Sequence, residues 1–158
     1  HGGAARRRAR VSGRIFTIGY QDSTAEAVLG TLAAAGVKLL VDVRAVSASR
    51  RPGFSKRQLA AGLAAAGIDY LHLRDLGTPP DGRLAARTGR FDDMRRIYEA
   101  QLATAPAEAE LAQLSTLAAA GRPLCLLCFE RRPEHCHRHV LSERLAQGLG
   151  VEVVDLLP

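Results

Sequence analysis

The sequence contains no tryptophan, and aromatic residues make up only 4% of its 158 residues. This scarcity argues against a stacking platform for single-stranded nucleic acid, which relies on aromatic side chains. No apolar run is long enough to cross a bilayer, and no basic segment followed by an apolar run indicates a secretory signal. The three cysteines are an odd number clustered late in the chain, unlike a disulfide framework. We therefore expect a cytoplasmic protein with no membrane partner.

Positive charge is what the chain has in excess, with a formal net charge of +6. Arginines at positions 6, 7, 8 and 10 supply four of these charges and leave only +2 for the rest. We predict that residues 1–13 are a basic flexible arm, whose His1-Gly2-Gly3 start is typical of a tag remnant, and that residues 14–158 form one domain. Such an arm is suited to binding anions such as nucleic acid without sequence preference.

Short apolar segments alternate with segments of helical periodicity along the chain. The apolar segments predict strands at residues 15–20, 37–43, 68–73, 124–129 and 151–156, several of them apolar enough to be buried on both faces. Strands alternating with helices predict a single Rossmann-like α/β domain, with a mostly parallel sheet and helices on both faces. Residues 76–89 are rich in glycine and proline and are expected to form a long loop.

The most polar stretch of the chain follows the fourth predicted strand. Cys128, Glu130, Cys136, His137 and Arg138 fall within eleven residues there. Open α/β sheets usually bind ligands at the carboxyl ends of their strands, next to helix N-termini. We therefore expect a site in this loop, with Glu130 as a general acid or base. The alternative is a loop carboxylate that pairs with neighbouring arginines.

Polar residues also end the other predicted strands. Tyr20 follows the first strand, Asp42 and Arg44 end the second, and His72 ends the third. Asp42 is a candidate base or orienting group, and Arg44 a candidate for holding phosphate or carboxylate. Arg51 lies in a basic loop without acids and is a further candidate for a phosphate contact. An Asp42–Arg44 structural ion pair and a structural His72 remain alternatives.

The cysteines differ in the roles we expect of them. Cys125 and Cys128 have the spacing of a redox or zinc pair, but residues three apart on a strand point to opposite faces. Cys125 is therefore expected in the core. Cys136 precedes a predicted helix among cations, which favours a thiolate, although a packed and inert cysteine fits as well. Together with the histidines at 135, 137 and 139, Cys128 and Cys136 are zinc-binding residue types. Their spacing matches no common zinc finger, so we predict no metal and no cofactor.

Several motifs, taken in order, resemble one known family. They are Thr17-Ile-Gly-Tyr20, Val41-Asp-Val-Arg44, Arg51-Pro-Gly-Phe54, Tyr70-Leu-His72, Cys128-Phe-Glu130 and Pro133-Glu-His-Cys-His-Arg138. They are similar to the DUF488 family over nearly all of residues 15–157. The resemblance implies a Rossmann-like α/β fold but no chemistry, because the family is named for its unknown function. Carried over to this sequence, its signature positions are Asp42, Arg44, Arg51, His72, Cys128, Glu130, Cys136, His137 and Arg138. The family's usual opening has histidine where this chain has Tyr20.

Three functions remain open at this point. The first is a hydrolase acting on DNA, another nucleic acid or a nucleotide, at a glycosidic or phosphoester bond. Its expected catalytic residues are Asp42, Glu130, His72 and Cys128, and its expected substrate-binding residues are Tyr20, Arg44, Arg51, Cys136, His137 and Arg138. The second is cysteine-dependent sulfur or phosphoryl transfer, because residues 39–44 are similar to a rhodanese segment. The third is a non-catalytic nucleic-acid binding module.

Overall fold

A computed structural model describes residues 13–158, so the predicted basic arm lies, except for its last residue, outside the described residues. The strands are β1 (Arg14–Gly19), β2 (Leu39–Asp42), β3 (Asp69–His72), β4 (Leu124–Cys128) and β5 (Glu152–Leu156). The helices are α1 (Ala25–Ala34), α2 (Lys56–Ala65), α3 (Pro80–Arg87), α4 (Phe91–Leu102), α5 (Ala105–Ala119) and α6 (His137–Leu149). Short 3-10 turns lie at Arg74–Leu76 and Pro133–His135. No helix among the described residues is long and apolar enough to span a membrane.

The five strands form one parallel sheet in the order β3-β2-β4-β1-β5. Helices α1 and α2 pack on one face, where Val28 and Leu63 are buried. Helices α4, α5 and α6 pack on the other face, where Tyr98, Leu114 and Leu141 are buried. The predicted Rossmann-like α/β domain is thereby confirmed.

The central strand β4 shows why the sheet needs a continuous apolar run. All five of its residues are buried, because helices cover both faces of the sheet. Leu124 and Leu126 enter one core, and Cys125 and Leu127 enter the other. Cys125 is a core thiol, as predicted, and burial raises its pKa.

The prediction of a long loop over residues 76–89 is wrong, because most of this segment forms α3. Pro80 lies in the first turn of α3, where its missing N–H breaks no helical hydrogen bond. Gly82 lies inside this helix, and a Cβ at its position would overlap the Cγ2 atom of Thr78. Glycine therefore allows close packing there. The residues that suggested a loop are therefore compatible with a short helix packed closely against its neighbours.

Candidate functional site

The carboxyl ends of β1, β2 and β4 surround a cavity of about 260 Å³. The chain leaves β1 and β2 toward one edge of the sheet and leaves β4 toward the other. Adjacent strands whose connections diverge in this way open a crevice, which is where open α/β sheets bind ligands. The cavity is lined by Tyr20, Arg44, Ala45, Val46, Thr78, Arg83, Ala86, Arg87, Met94, Cys128, Phe129, Glu130, His135, Cys136 and His137. Of the ten site residues expected from the sequence, Asp42, Arg51, His72 and Arg138 do not line it.

Asp42 and Arg44, both buried, and Tyr70, half-buried, form a hydrogen-bonded group at the end of β2, here called the β2 cluster. The Arg44 side chain donates to Asp42 through Nε at 2.8 Å and through Nη2 at 2.7 Å. The Asp42 carboxylate also accepts from the Arg44 backbone N–H at 3.1 Å and from the Tyr70 hydroxyl at 2.6 Å. Both oxygens of Asp42 are therefore occupied, and the arrangement matches the structural ion pair that the sequence left open.

The second side of the Arg44 guanidinium also contacts protein groups. Its Nη1 atom donates to the Phe54 carbonyl at 2.7 Å and to the Tyr20 hydroxyl at 3.2 Å. The ring of Tyr20 stacks on the Phe54 ring, with centroids 4.3 Å apart. Burial acts to lower the pKa of Arg44, but hydrogen bonds and charge from Asp42 outweigh it and the pKa is raised. Arg44 is thus a cation held in place by the fold, at the wall of the cavity.

His72 and Arg51 lie outside the cavity and donate hydrogen bonds to nearby backbone carbonyls. Nε2 of His72 donates to the Arg44 carbonyl at 2.7 Å, since a carbonyl only accepts. The Arg51 guanidinium donates to the Ser23 carbonyl and lies over the Phe54 ring, 6.0 Å from its centroid. His72 thus contacts the backbone of the candidate Arg44, whereas Arg51 contacts Ser23 and Phe54, and neither residue lines the cavity.

Arg138 is fully buried and holds the loop that follows β4. Its guanidinium donates to the Thr17 hydroxyl at 3.2 Å, to the Arg131 carbonyl at 3.1 Å and to the Glu130 carbonyl. It also donates to Sγ of Cys128 at 2.9 Å. Burial lowers its pKa. All of these hydrogen bonds go to groups of the protein itself. Arg138 would have to break some of them to make the expected phosphate contact.

The end of β1 packs directly against the same loop. A Cβ at Gly19 would overlap the Glu130 carbonyl oxygen, so only glycine fits there without displacement of the backbone. The Gln21 N–H donates to the Phe129 carbonyl at 2.8 Å, and the Gln21 side chain accepts from the Arg131 N–H at 3.0 Å. These contacts fix the backbone on both sides of Glu130.

Cys128, Glu130, Cys136 and His137 meet in that loop and at the start of α6, and are here called the β4 cluster. Cys128 and Cys136 form a disulfide, with their Cα atoms 7.5 Å apart. The sequence analysis did not predict this pairing. It arises because the 3-10 turn at Pro133–His135 brings the chain back to the end of β4.

His137 is held in one tautomer. Its Nε2 atom lies 2.7 Å from the Val43 carbonyl, and its Nδ1 atom lies 3.5 Å from Sγ of Cys136. Because the carbonyl only accepts, Nε2 carries the proton and Nδ1 carries a lone pair. Burial lowers the pKa of His137 from 6.5 to about 4. The imidazole is therefore neutral near neutral pH, with its lone pair directed at the sulfur.

Glu130 is the acidic residue among the described residues that line the cavity. Its side chain is half-buried, and burial raises its pKa against the opposing effects of His135 and Arg138. Its carboxylate has no hydrogen bond or salt bridge to any side chain or backbone group of residues 13–158. This contrasts with Asp42 and leaves the Glu130 carboxylate accessible to a ligand.

The opposite wall of the cavity, formed by α3, was not predicted from the sequence. Arg83 and Arg87 project from α3, and Arg83 is steadied by donating to the Thr78 carbonyl at 2.9 Å. Phe129 is 42% exposed and Val46 is 52% exposed. The signal for α3 was present in a proline at a helix start, followed by arginines four residues apart, a spacing that puts both on one helical face.

Comparisons with known proteins give one match. A family model described as "Domain of unknown function DUF488" matches residues 24–145, which include the β2 cluster and the β4 cluster. No curated protein and no solved structure matches the chain. The match extends over most of the domain and carries no statement of activity, so any function has to be argued from the site.

Proposed function

The chain belongs to the DUF488 family, and we propose that it is an enzyme that hydrolyses a glycosidic or phosphoester bond in a nucleotide unit, free or within nucleic acid. Glu130 supplies the general acid or base. Phe129 contacts the base, and Arg83 and Arg87 contact phosphate. The observation that carries this proposal is an unpaired carboxylate in a cavity that also presents an aromatic ring and arginines.

The assignment of the acid/base role to Glu130 rests on access to the substrate. A general acid or base must come within hydrogen-bond distance of the proton that it transfers. The Asp42 carboxylate is filled by four donors from Arg44 and Tyr70, whereas the Glu130 carboxylate borders the cavity with no hydrogen bond to residues 13–158. Of the two carboxylates expected from the sequence, Glu130 alone meets this requirement.

The ligand class follows from the remaining walls. The exposed Phe129 ring offers a flat apolar surface for a base, and guanidinium groups such as those of Arg83 and Arg87 bind phosphate through paired N–H donors. A volume of about 260 Å³ lies near the small end of ligand pockets, which run from about 300 Å³ upward. It accommodates one nucleotide unit but not a duplex, so a base within DNA would enter unstacked.

The test is a product analysis with the full chain. Nucleoside 5′-monophosphates and short single- and double-stranded DNA and RNA are incubated with the wild-type protein, and products are identified by mass spectrometry. Glu130→Gln should lower turnover by about 10²–10⁴-fold. Glu134→Gln, which changes an exposed acid of the same loop that does not line the cavity, should retain turnover. Full turnover in Glu130→Gln would reject the role of Glu130, and binding without any turnover would favour a non-catalytic nucleic-acid module.

Cysteine-dependent sulfur or phosphoryl transfer is a second candidate, supported by one contact. Arg138 donates to Sγ of Cys128 at 2.9 Å, and a neighbouring cation favours the thiolate. Against it, Cys128 is 1% exposed and Cys136 is 4% exposed. Iodoacetamide treatment of the reduced protein at neutral pH tests this candidate, and two unlabelled cysteines would eliminate it.

The expected cytoplasmic location belongs with this proposal. A reducing compartment would keep Cys128 and Cys136 as thiols, available to the cavity that they line. Rapid alkylation of source cells, followed by mass spectrometry of the peptide that contains both residues, measures their redox state. A pair recovered fully oxidised would contradict a cytoplasmic location.

A further inference from the structure

Three side chains of the β4 cluster have the chemistry of metal ligands. The sulfur atoms of Cys128 and Cys136 and a ring nitrogen of His137 all lie within 4.8 Å of one another, and all three residues are buried. We propose that these three side chains, once the disulfide is reduced, bind one divalent metal ion of the zinc class. Metal binding goes beyond the proposed hydrolysis, because it requires no substrate.

The orientation of His137 supports a ligand role. Histidines that bind metals usually donate their other ring N–H to a carboxylate or a backbone carbonyl, which fixes the tautomer. His137 does so from Nε2 to the Val43 carbonyl at 2.7 Å. The lone pair on Nδ1 therefore points to the side of the ring where Sγ of Cys136 lies, 3.5 Å away.

The surroundings of Cys128 support the same role. Arg138 donates to its sulfur at 2.9 Å, and Arg138 is itself fixed by Thr17 and by the Arg131 carbonyl. Fixed hydrogen bonds to first-sphere ligands orient these ligands and tune their charge. Cys128 and His137 are thus held in position by Arg138 and by the Val43 carbonyl.

The backbone spacing of the cysteines also suits a bridging ion. The Cα atoms of Cys128 and Cys136 are 7.5 Å apart, whereas disulfides usually join Cα atoms about 4.4–6.8 Å apart. Two zinc–sulfur bonds of about 2.3 Å each reach further than one S–S bond of about 2.05 Å, so a bridging ion suits the wider spacing. Reduction by a phosphine gives two thiols and the phosphine oxide, whose oxygen comes from water. Metal binding then releases the two thiol protons.

The ligand set selects the kind of ion. Two thiolates and one imidazole favour Zn²⁺ over Mg²⁺ or Ca²⁺, which prefer oxygen ligands. Zinc in proteins is usually four-coordinate, and sites with three protein ligands keep one position for water or substrate. Cys128, Cys136 and His137 all line the cavity with Glu130, so an ion held by them would lie at the cavity wall. On the proposed function, and resting on it, the ion would supply an activated water and Glu130 would take its proton.

The experiment is a metal titration of the full chain after reduction by a phosphine and removal of metals by a chelator. Co²⁺ is added and followed by absorption, because tetrahedral thiolate coordination gives a thiolate-to-cobalt charge-transfer band and strong visible bands. We expect one Co²⁺ per chain, displaced by Zn²⁺, and one Zn²⁺ per chain by elemental analysis after dialysis. Cys136→Ser and His137→Gln should each weaken binding by at least about 10²-fold, since loss of an outer-sphere partner alone costs 10–100-fold.

Two control variants keep the test decisive. Cys125→Ala removes the core cysteine, and His139→Gln removes a histidine paired with Glu143 on α6; both should keep one bound ion. No bound Co²⁺ in the reduced wild-type protein, or equal weakening in Cys125→Ala, would overturn the proposal even where a ligand variant fails to fold. Metal binding without nucleotide turnover would reject only the proposed function. Turnover that needs Glu130 but persists in metal-free protein would reject the ion's part in hydrolysis, whereas the Co²⁺ titration alone decides the metal site.

Discussion

The two polar clusters at the strand ends each contain one carboxylate and differ in how that carboxylate is hydrogen-bonded. In the β2 cluster, Asp42 accepts four hydrogen bonds from Arg44 and Tyr70. In the β4 cluster, the Glu130 carboxylate has no such partner among the described residues, and Nδ1 of His137 lies 3.5 Å from Sγ of Cys136. The first cluster therefore holds the fold together, and the second leaves groups available to a ligand. Saturation of hydrogen bonds, more than residue type, separates the two roles.

The largest effect should come from breaking the β2 cluster. Asp42→Ala leaves Arg44 buried without its carboxylate, and removal of one partner of a buried ion pair costs about 3–5 kcal/mol. Urea unfolding measures this loss. The control Asp93→Ala removes an acid paired with Arg90 and Arg96 on the surface of α4, which should cost less than about 1 kcal/mol. Equal losses in the two variants would contradict the structural role of Asp42.

The next effect concerns the contact between β1 and the loop of the β4 cluster. In Gly19→Ala the new Cβ would overlap the Glu130 carbonyl, and overpacking of this kind costs about 1–3 kcal/mol. Gly30→Ala is a matched control, because a Cβ there has no neighbour within 4 Å and alanine is favoured inside a helix by about 0.5–1 kcal/mol. The two variants should shift the free energy of unfolding in opposite directions. A neutral Gly19→Ala would contradict the close packing at Glu130.

Removal of two tyrosine hydroxyls compares the contributions of two hydrogen bonds, one within the β2 cluster and one beside it, to the free energy of unfolding. Tyr70→Phe removes a donor to the Asp42 carboxylate and should cost about 1.5–3 kcal/mol, as hydrogen bonds to charged groups do. Tyr20→Phe removes one acceptor of Arg44, whose Nη1 atom keeps the Phe54 carbonyl, and should cost about 1 kcal/mol or less. Thermal or urea unfolding checks the order, and a larger loss in Tyr20→Phe would reverse it.

The smallest effect on stability is expected at Glu130. Because its carboxylate bonds to no group of the described chain, Glu130→Gln should change the free energy of unfolding by no more than about 0.5 kcal/mol. Loss of turnover in this stable variant would separate a functional role of Glu130 from the structural role of Asp42. A destabilisation of several kcal/mol would instead show that Glu130 is a structural residue like Asp42.

The fold was predictable from local patterns, because they are strong in this chain. The apolar run of β4 predicted a strand buried on both faces, and the structure confirms it. At α3 the prediction failed because Pro80 begins the helix and Gly82 packs against Thr78 within it, a contact that local sequence does not show.

The division of roles in the site was not predictable in the same way. The sequence offered both Asp42 and Glu130 as acid/base candidates at strand ends and favoured Glu130, but it could not show which carboxylate the fold would fill with hydrogen bonds. Arg44 supplies three of the four hydrogen bonds to the Asp42 carboxylate, and the fourth comes from Tyr70 on the neighbouring strand. Likewise, the meeting of Cys128 and Cys136 depends on how the intervening turn folds back. Such long-range contacts are set by packing and not by spacing.

The central claim is that a ligand meets the β4 cluster and α3, and not the basic loop beside the β2 cluster. The most direct test is an NMR titration of the isotope-labelled full chain with a nucleoside 5′-monophosphate. We expect chemical-shift changes at Phe129, Glu130 and Arg87. In Arg87→Ala, the changes at Phe129 and Glu130 should be lost. Changes confined to Arg50, Arg51 and Lys56, with Glu130 unmoved, would contradict it.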